Sequence, residues 1–477
     1  MKIFIYVLFL FYFVIINGIS VTNVEEFSDE KPNILLINID DLGWTDLGFM
    51  GSQYYETPNV DQLANEGMVF SQAYAAASNC NPARAALFSG QYSPRTGVYT
   101  VENSERGRAE ERKIIPTENT WFLDEDNLTI TEILQQNGYK TAHVGKWHIS
   151  KDPTTFGIDV NIGGFEAGNP AGWDMGGYFS PYNNPNLENG PEGEYLTDRL
   201  TDEAIEFLDS IGNKPFFLNY APYIVHTPIQ PKPQLEEKYN NKSRTNQHDN
   251  AGYAAMVETM DKNIGRLVEY LKETEKYDNT LIIFTSDNGG LNEISRQWPL
   301  RAGKGSYFEG GIRVPMIAIW NAKIEAGSFS RKSVSQIDFF PTFLDAAGID
   351  IPKNKVLDGE SLMPIFNGES FLERPLFWHF PIYLKAYSDD NPQTHDVYFR
   401  TRPGSVVLKY PWKLHEYFED GRLELYNLEL DIRETTNLVE IFPEKTKELH
   451  AILENWRKEL DAPVPEELNP EYKNYNE

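Results

Sequence analysis

Three continuous runs of apolar residues most strongly constrain what this chain can fold into. They cover residues 33–39, 215–220 and 280–285. Runs without polar alternation are typical of strands that are buried on both faces of a parallel sheet. Helical patterns separate these runs, at residues 59–66, 130–136, 196–211 and 253–271. Strands that alternate with helices predict an α/β fold with a large, mostly parallel central sheet flanked by helices.

The pattern changes in the last quarter of the chain. Short segments at residues 398–400, 412–414 and 423–428 are typical of antiparallel strands, and residues 444–460 form a helical pattern. We therefore expect a smaller C-terminal subdomain made of an antiparallel sheet and a closing helix. The predicted parts of the chain are a signal peptide at residues 1–20, a large N-terminal domain at residues 32–350 and this subdomain at residues 351–477.

The first 20 residues have the composition of an export signal. Lys2 precedes an apolar run at residues 3–16, and the small residues Gly18 and Ser20 follow. The run is short for a membrane span of about 20 residues, so we expect cleavage rather than a retained anchor. The sequence thus predicts an exported protein, periplasmic or secreted, with no stable membrane anchor.

The charge balance excludes one class of partner. Asp and Glu number 71 against 43 Lys and Arg, which gives a formal net charge of -28. A surface this acidic argues against nucleic acid as a partner. It also repels anionic substrates at long range unless salt screens the charge, as it does when the Debye length falls to about 3 Å near 1 M. The composition is therefore compatible with a saline medium.

Acidic and amide side chains follow two of the predicted strands. Asp40 and Asp41 come directly after the first, and Asp287 and Asn288 come just after the third. Ligands of open α/β sheets bind beyond the carboxyl ends of the strands, so we expect these four side chains to converge. Hard oxygen ligands suit Ca²⁺ or Mg²⁺, whereas a single cysteine and eight histidines argue against a zinc site.

Cys80 is the single cysteine in 477 residues. An exported protein that used cysteine for stability would carry an even number, so this thiol is either a small buried hydrophobic residue or a chemically active group. It begins the segment Cys80-Asn81-Pro82-Ala83-Arg84, in which Pro82 suits the first turn of a helix. Residue 80 is then expected at a helix N-terminus, where an anion is stabilised.

This segment resembles the signature of type I, formylglycine-dependent sulfatases, which belong to the alkaline phosphatase superfamily. Gly145-Lys146-Trp147-His148 resembles the second signature of that family. The family usually has Ser where this chain has Ala83, at a position that varies. The likeness runs from Pro32 to about Glu440, essentially the whole mature chain, and the chain most resembles bacterial carbohydrate sulfatases.

The resemblance implies a cofactor, a modification and a set of site residues. A formylglycine-generating enzyme would convert Cys80 to formylglycine, and a cation, usually calcium with magnesium as the alternative, would bind beside it. The implied metal ligands are Asp40, Asp41, Cys80, Asp287 and Asn288. The implied catalytic residues are Cys80, Arg84, Lys146, His148, His226 and Lys304.

The resemblance also implies a division of labour in sulfate ester hydrolysis. One hydroxyl of the aldehyde hydrate attacks sulfur, and the second later expels sulfate as the carbonyl reforms. His148 takes the proton of that second hydroxyl, and His226 protonates the leaving oxygen. Lys146 and Lys304 neutralise the sulfate, and Asp287 is a candidate for deprotonating the attacking hydroxyl.

Residues that contact the sugar are harder to identify. Two long loops without periodicity, at residues 100–127 and 153–193, are expected to rim the pocket, and the aromatic segment 377–383 is a candidate platform. The nominated substrate-binding residues are Arg301, His379, Tyr383, Trp173, Asp174 and His395. The expected substrate is a sulfated carbohydrate such as an algal polysaccharide. A phosphonate or phosphodiester hydrolase of the same superfamily and a non-catalytic glycan-binding relative remain alternatives, and the sugar, the sulfated carbon and exo or endo action stay open.

Overall fold

The computed structural model describes residues 31–172, 174–245, 248–387, 394 and 396–473. Within them, a large sheet of nine strands forms the centre of the fold. Its strands are β1 (Asn33–Ile39), β2 (Met68–Tyr74), β3 (Lys140–Gly145), β4 (Val160–Ile162), β5 (Phe216–Ala221), β6 (Thr280–Ser286), β7 (Arg313–Ile319), β8 (Ser328–Ser330) and β9 (Val334–Ser335).

The strand order is β4-β3-β5-β1-β6-β7-β2-β8, with β9 also paired to β2. β7 is antiparallel to both of its neighbours, and the other pairs are parallel. β1 therefore lies in the interior of the sheet, between β5 and β6, and its side chains alternate between two apolar layers. This arrangement explains why β1 is apolar except at Asn33 and Asn38.

Helices cover both faces of the sheet. Leu35 and Ile37 of β1 belong to an apolar cluster with residues of α1, α5 and α7, while Ile34 and Leu36 belong to a second cluster with residues of α2, α4 and α9. The helices are α1 (Pro58–Glu66), α2 (Cys80–Ser89), α3 (Ser93–Thr96), α4 (Ile130–Gln136), α5 (Leu196–Ser210), α6 (Pro233–Asn240), α7 (Ala251–Glu273), α8 (Glu309–Ile312), α9 (Phe339–Ala346), α10 (Met363–Phe366) and α11 (Pro443–Glu459). Short 3₁₀ helices are present at Gly48–Met50, Ala109–Glu111, Pro153–Phe156 and Gln336–Asp338.

A smaller antiparallel sheet follows in the chain, with the order β10-β13-β14-β15, and β11 pairs with β12 beside it. These strands are β10 (Leu376–Phe380), β11 (Leu384–Lys385), β12 (Phe399–Thr401), β13 (Gly404–Lys409), β14 (Trp412–Tyr417) and β15 (Leu423–Asn427). Leu449 and Leu453 of α11 pack against Val407 and Leu414 of the sheet. This packing covers one face of the sheet with the last helix.

The predicted fold class is confirmed: a large, mostly parallel sheet flanked by helices precedes a small antiparallel sheet with a closing helix. The domain limits at residues 350 and 351 stay a prediction. The predicted signal peptide lies outside the described residues, and among the helices of residues 31–473 that are described, none has the length and apolar character that crossing a bilayer requires.

Candidate active site

The two acidic pairs meet because β1 and β6 are neighbouring parallel strands. Their register pairs Ile39 with Ser286, so Asp40 and Asp287 follow the strands at the same edge of the sheet. The backbone N–H of Asp41 donates to Asp287 Oδ1 at 3.2 Å. Asp41 has φ 63°, a left-handed conformation that is uncommon for a residue with a side chain. Strained backbone of this kind is often found at functional sites.

Cys80 is the first residue of α2 and is buried. Its Sγ lies 3.7 Å from Asp40 Oδ1 and 3.8 Å from Asp41 Oδ1. The next residue, Asn81, fixes the start of the helix by donating from Nδ2 to the carbonyl of His148 at 3.0 Å. Burial raises the pKa of the Cys80 thiol to about 12, so the sulfur is protonated at neutral pH.

Three buried or nearly buried cations are paired with the carboxylates around Cys80. Each pairing is at hydrogen-bond distance, which satisfies charges that would otherwise be costly to bury. They are Lys146 Nζ with Asp40 Oδ1 at 2.8 Å, Arg84 Nε with Asp287 Oδ2 at 2.9 Å, and Lys304 Nζ with Asp41 Oδ2 at 2.8 Å.

The carboxylates influence each other's protonation. Burial raises the pKa of Asp40 to about 7, since the charge of Lys146 only partly opposes burial and the neighbouring carboxylates of Asp287 and Asp41 add to it. Burial acts in the same direction on Asp41, but Lys304 and His226 outweigh it and hold the pKa of Asp41 well below its usual value. Such crowding of carboxylates is the environment that a divalent cation relieves.

The donor set fits a hard divalent cation. Four potential ligand atoms lie within 4.8 Å of one another, one from each of Asp40, Asp41, Cys80 and His226. Asn288 donates from Nδ2 to Asp41 Oδ1 at 2.8 Å, and its Oδ1 is buried without a hydrogen-bond partner among the described residues. An orphaned amide oxygen next to carboxylates is a suitable ligand for Ca²⁺ or Mg²⁺.

His226 lies beside Lys304 with its two ring nitrogens in different environments. Nδ1 is 2.7 Å from the carbonyl of Thr227, to which it donates, and Nε2 is 3.1 Å from Lys304 Nζ, from which it accepts. Burial and the charge of Lys304 lower the pKa of His226 to about 3. The imidazole is therefore neutral in this state, with Nε2 free of a proton.

His148 is also buried and close to the same cations. Its backbone has φ 71°, and its Nδ1 has no partner in the described part of the chain. Burial, followed by the charges of Lys146 and Arg84, holds its pKa well below the usual value. Gly168 packs on the ring so closely that a Cβ at that position would lie 2.7 Å from His148 Cε1. A larger residue at position 168 would displace the imidazole.

A cavity of about 520 Å³ opens over these groups and lies within the size range of small-molecule sites. Cys80, His148, His226 and Lys304 line it. The two long loops supply much of the remaining wall, as predicted from their lack of periodicity. From them come Val101, Glu102, Arg106, Trp121, Phe122, Glu166, Gly168 and Asn169.

Three of the nominated sugar-binding residues do not line this cavity. Arg301 is buried, donating from Nη1 to the carbonyl of Glu434 at 2.6 Å. Tyr383 is buried and donates to Glu419. His379 lies on β10, with Nδ1 2.8 Å from Ser405 Oγ and Nε2 2.9 Å from the carbonyl of Pro463. The sequence predicts that the aromatic segment 377–383 forms a platform, but β10 and the residues that follow it are buried, so these side chains form part of the core.

Of the other three nominated residues, only Asp174 lies within the described residues. Asp174 is exposed and is not among the residues that line the cavity. Trp173 and His395 lie outside the described residues. By contrast, several residues that line the cavity carry no individual signal in the sequence: Asn79, Asn81, Arg106, Trp121, Lys151, Glu166, Asn169 and Arg400. The length of the two loops is the available signal for half of them, Arg106, Trp121, Glu166 and Asn169.

Comparison with known proteins agrees with this geometry. The family model described as Sulfatase matches residues 32–349, and the model described as N-sulphoglucosamine sulphohydrolase, C-terminal, matches residues 303–462. A protein of Formosa agariphila named Sulfatase is 36% identical, with 86% of this chain and 85% of that protein covered. N-acetylgalactosamine-6-sulfatase of Homo sapiens is 32% identical, with 73% and 68% covered.

Solved structures show the same likeness. The crystal structure of Ps i-CgsB has a TM-score of 0.74 and 31% identity, covering 92% of this chain and 95% of that one. Its complex with k-i-k-neocarrahexaose has the same TM-score and identity, with 94% and 96% covered. The chain belongs to the sulfatase family. It is a type I sulfatase of the alkaline phosphatase superfamily and a sulfuric ester hydrolase, so the predicted family and enzyme class are confirmed.

Proposed function

We propose that this protein hydrolyses sulfate esters of a carbohydrate, using a formylglycine made from Cys80 and a divalent cation. One observation carries the proposal: Cys80 begins a helix with its Sγ 3.7 Å from Asp40 and 3.8 Å from Asp41, inside a shell of cations. A protonated thiol packed between carboxylates is a poor nucleophile. Its position is nevertheless where a reacting group would meet both a metal and an anionic sulfate.

The modification would supply two hydroxyls on one carbon once the aldehyde is hydrated. Arg84, Lys146 and Lys304 surround the position and provide positive charge for the sulfate oxygens. Carboxylates hold these cations in place before substrate binds. The cationic side chains therefore need to move little when negative charge develops on the sulfate in the transition state.

The cation would be held by Asp40, Asp41, Asp287 and Asn288 together with residue 80. These are oxygen donors of the kind that Ca²⁺ prefers, and Mg²⁺ is compatible with the same set. When bound, the ion would polarise a sulfate oxygen and neutralise charge.

Two histidines carry the proposed proton transfers. The carbonyl of Thr227 holds the tautomer of His226, so that Nε2 faces the cavity beside Lys304. In the proposed role His226 takes up a proton from water at Nε2 when the anionic substrate binds and passes it to the leaving oxygen. Lys304 keeps its positive charge for the sulfate, because burial is outweighed by the charges of its neighbours, Asp41 foremost, which raise the pKa of Lys304. His148, with an unpartnered buried Nδ1, would accept the proton released when sulfate leaves.

The carbohydrate class is supported by the cavity and by the relatives. Trp121 lines the cavity and is 51% exposed, which offers an apolar ring face to a sugar. Relatives include an N-acetylgalactosamine-6-sulfatase, and Ps i-CgsB is known in complex with an oligosaccharide. The predicted export signal and the charge of -28 favour an exported enzyme, periplasmic or secreted, acting on marine algal polysaccharide.

The test is a sulfate-release screen over defined sulfated oligosaccharides. The protein is produced together with a formylglycine-generating enzyme, and Cys80→Ala serves as the matched control. Release from at least one saccharide by the parent but not by the control supports the proposal. A marked preference for a phosphate diester over a sulfate ester with the same leaving group would contradict it, and so would the absence of release from every saccharide by protein with residue 80 converted.

A further inference from the structure

Two arginines that are far apart in the sequence both line the cavity. Arg106 comes from the first long loop and Arg400 from β12 of the C-terminal region. Both line the same cavity as Cys80 and Lys304. None of the roles assigned above to sulfate or metal binding uses either arginine.

Neither guanidinium has a carboxylate partner among the described residues, although the chain is strongly acidic. Their neighbours in sequence do: Arg112 pairs with Glu105 at 3.1 Å, and Arg402 pairs with Glu419 at 2.8 Å. Glu102 and Glu166 also line the cavity, but within the part of the chain that is described neither forms an ion pair with these arginines. Within the described ranges, these two guanidinium groups therefore line one cavity without an ion-pair partner.

Arg400 is held in position by contacts other than ion pairs. Its guanidinium lies over the ring of Tyr387, 5.2 Å from the centroid, and Nη1 is 3.4 Å from the carbonyl of Lys304. Gly305 allows this approach, because a Cβ there would lie 2.7 Å from Arg400 Nε. That Nε is buried and has no hydrogen-bond partner in the described ranges.

Arg106 is held through one of its nitrogens. Nη2 donates to the carbonyl of Val101 at 2.5 Å. Burial, followed by the charge of Arg400, lowers the pKa of Arg106, while the charge of Glu102 opposes this shift. The two guanidinium groups therefore repel each other. An anion between them would remove this repulsion and accept their free N–H groups, and guanidinium suits sulfate and carboxylate because it can donate two parallel hydrogen bonds.

We propose that Arg106 and Arg400 form a subsite for a second anionic group on the substrate, either a sulfate or a carboxylate. The substrate class is then a saccharide that carries at least two negative charges, one being the ester that is cleaved next to Cys80. This inference rests on the proposed function and narrows its substrate.

The test compares saccharides that share one cleavable sulfate ester and differ in a second group: hydroxyl, sulfate or carboxylate. The parent enzyme should show a kcat/KM about ten- to a hundredfold higher on a doubly charged saccharide, the range expected for hydrogen bonds to a charged group. Arg106→Gln and Arg400→Gln should lose most of this preference. Arg331→Gln, which removes an exposed arginine outside the cavity, should keep it. The sulfate and carboxylate arms show which anion the subsite takes.

Equal losses on singly and doubly charged saccharides would overturn the proposal, because the arginines would then act on the cleaved ester or on the fold. Arg106→Lys and Arg400→Lys retain charge and should recover part of the preference even if the Gln variants fold poorly. Calorimetric titration of Cys80→Ala with the same saccharides gives a readout that does not need turnover. Equal affinity for singly and doubly charged saccharides would refute the subsite. A lack of sulfate release by the parent enzyme would refute only the proposed function.

Discussion

Arg84 and Asp287 form an ion pair that is almost completely shielded from solvent, with Nε 2.9 Å from Oδ2 and each side chain 1% exposed. The same guanidinium donates from Nη1 to the carbonyl of Lys146 at 2.6 Å. One side chain thus connects α2, the end of β6 and the loop after β3, the three segments that carry Cys80, Asn288 and Lys146. The relative placement of the site residues depends on it.

Arg84→Met should lower the free energy of unfolding by about 3–5 kcal/mol, because Asp287 would remain as a buried carboxylate without its partner. Urea denaturation measures the change, in the presence of a chelator so that no bound cation compensates. Arg95→Met is the matched control, since its pair with Asp358 is partly exposed and should cost about 1 kcal/mol or less. Similar losses in the two variants would contradict a structural role for the buried pair.

Cys80→Ala should abolish sulfate release and leave the fold intact, because the proposed nucleophile is made from this side chain. The buried thiol is small, so the unfolding midpoint should stay close to that of the parent protein. Mass analysis of the peptide that contains residue 80 should show loss of sulfur in active material. Fully active protein with an unmodified thiol would exclude the proposed role.

Much of the fold could be predicted because β1 and β6 are buried on both faces of the sheet. A strand in such a position has a nearly continuous run of apolar residues, which is visible in the sequence. The converging acids Asp40 and Asp287 could be predicted for a related reason, since they follow parallel strands. Sugar contacts could not be predicted in this way. An aromatic segment such as the one around His379 has the same composition whether it faces a ligand or the core, and only the pairing of β10 with β13 decides which.

His226→Ala should reduce kcat on sugar sulfates far more than on nitrophenyl sulfate. Sugar alcohols are poor leaving groups and need a proton, whereas nitrophenolate leaves readily without one, and general acid catalysis typically contributes about 10²–10⁴-fold. Steady-state kinetics on both substrates measures the difference. Equal losses would show that His226 acts on the sulfate or on Lys304 instead.

Removal of divalent cations should inactivate the enzyme and lower its thermal stability. A cation that binds only the folded state adds about 2.7 kcal/mol at a concentration of 100 Kd. Melting temperatures after chelation and after addition of Ca²⁺ or Mg²⁺ measure this effect, and they also identify the preferred ion. Asp41→Asn removes one carboxylate of the proposed site, so addition of the cation should raise the melting temperature of this variant less than that of the parent. Full activity after complete chelation would refute the metal assignment.

The buried His379 should make the protein less stable in acid. Burial lowers its pKa to about 3, with Arg457 adding to the effect and the carbonyl of Pro463 and the charge of Glu416 opposing it. Between pH 6.5 and about 3 the unfolded chain therefore binds a proton that the folded protein does not. The free energy of unfolding should fall with decreasing pH, by up to about 1.4 kcal/mol per pH unit for this group.

His379→Gln should flatten this dependence when urea denaturation is followed from pH 7 to pH 4, because a side chain that does not titrate replaces one that does. The variant should be less stable than the parent at pH 7, since the bonds to Ser405 and Pro463 are disturbed. A residual slope should persist, because His143 is buried in the same way and burial lowers its pKa to about 3. The KM for saccharides should stay unchanged, as His379 does not line the cavity. A raised KM with an unchanged pH slope would instead return His379 to the role of a sugar contact.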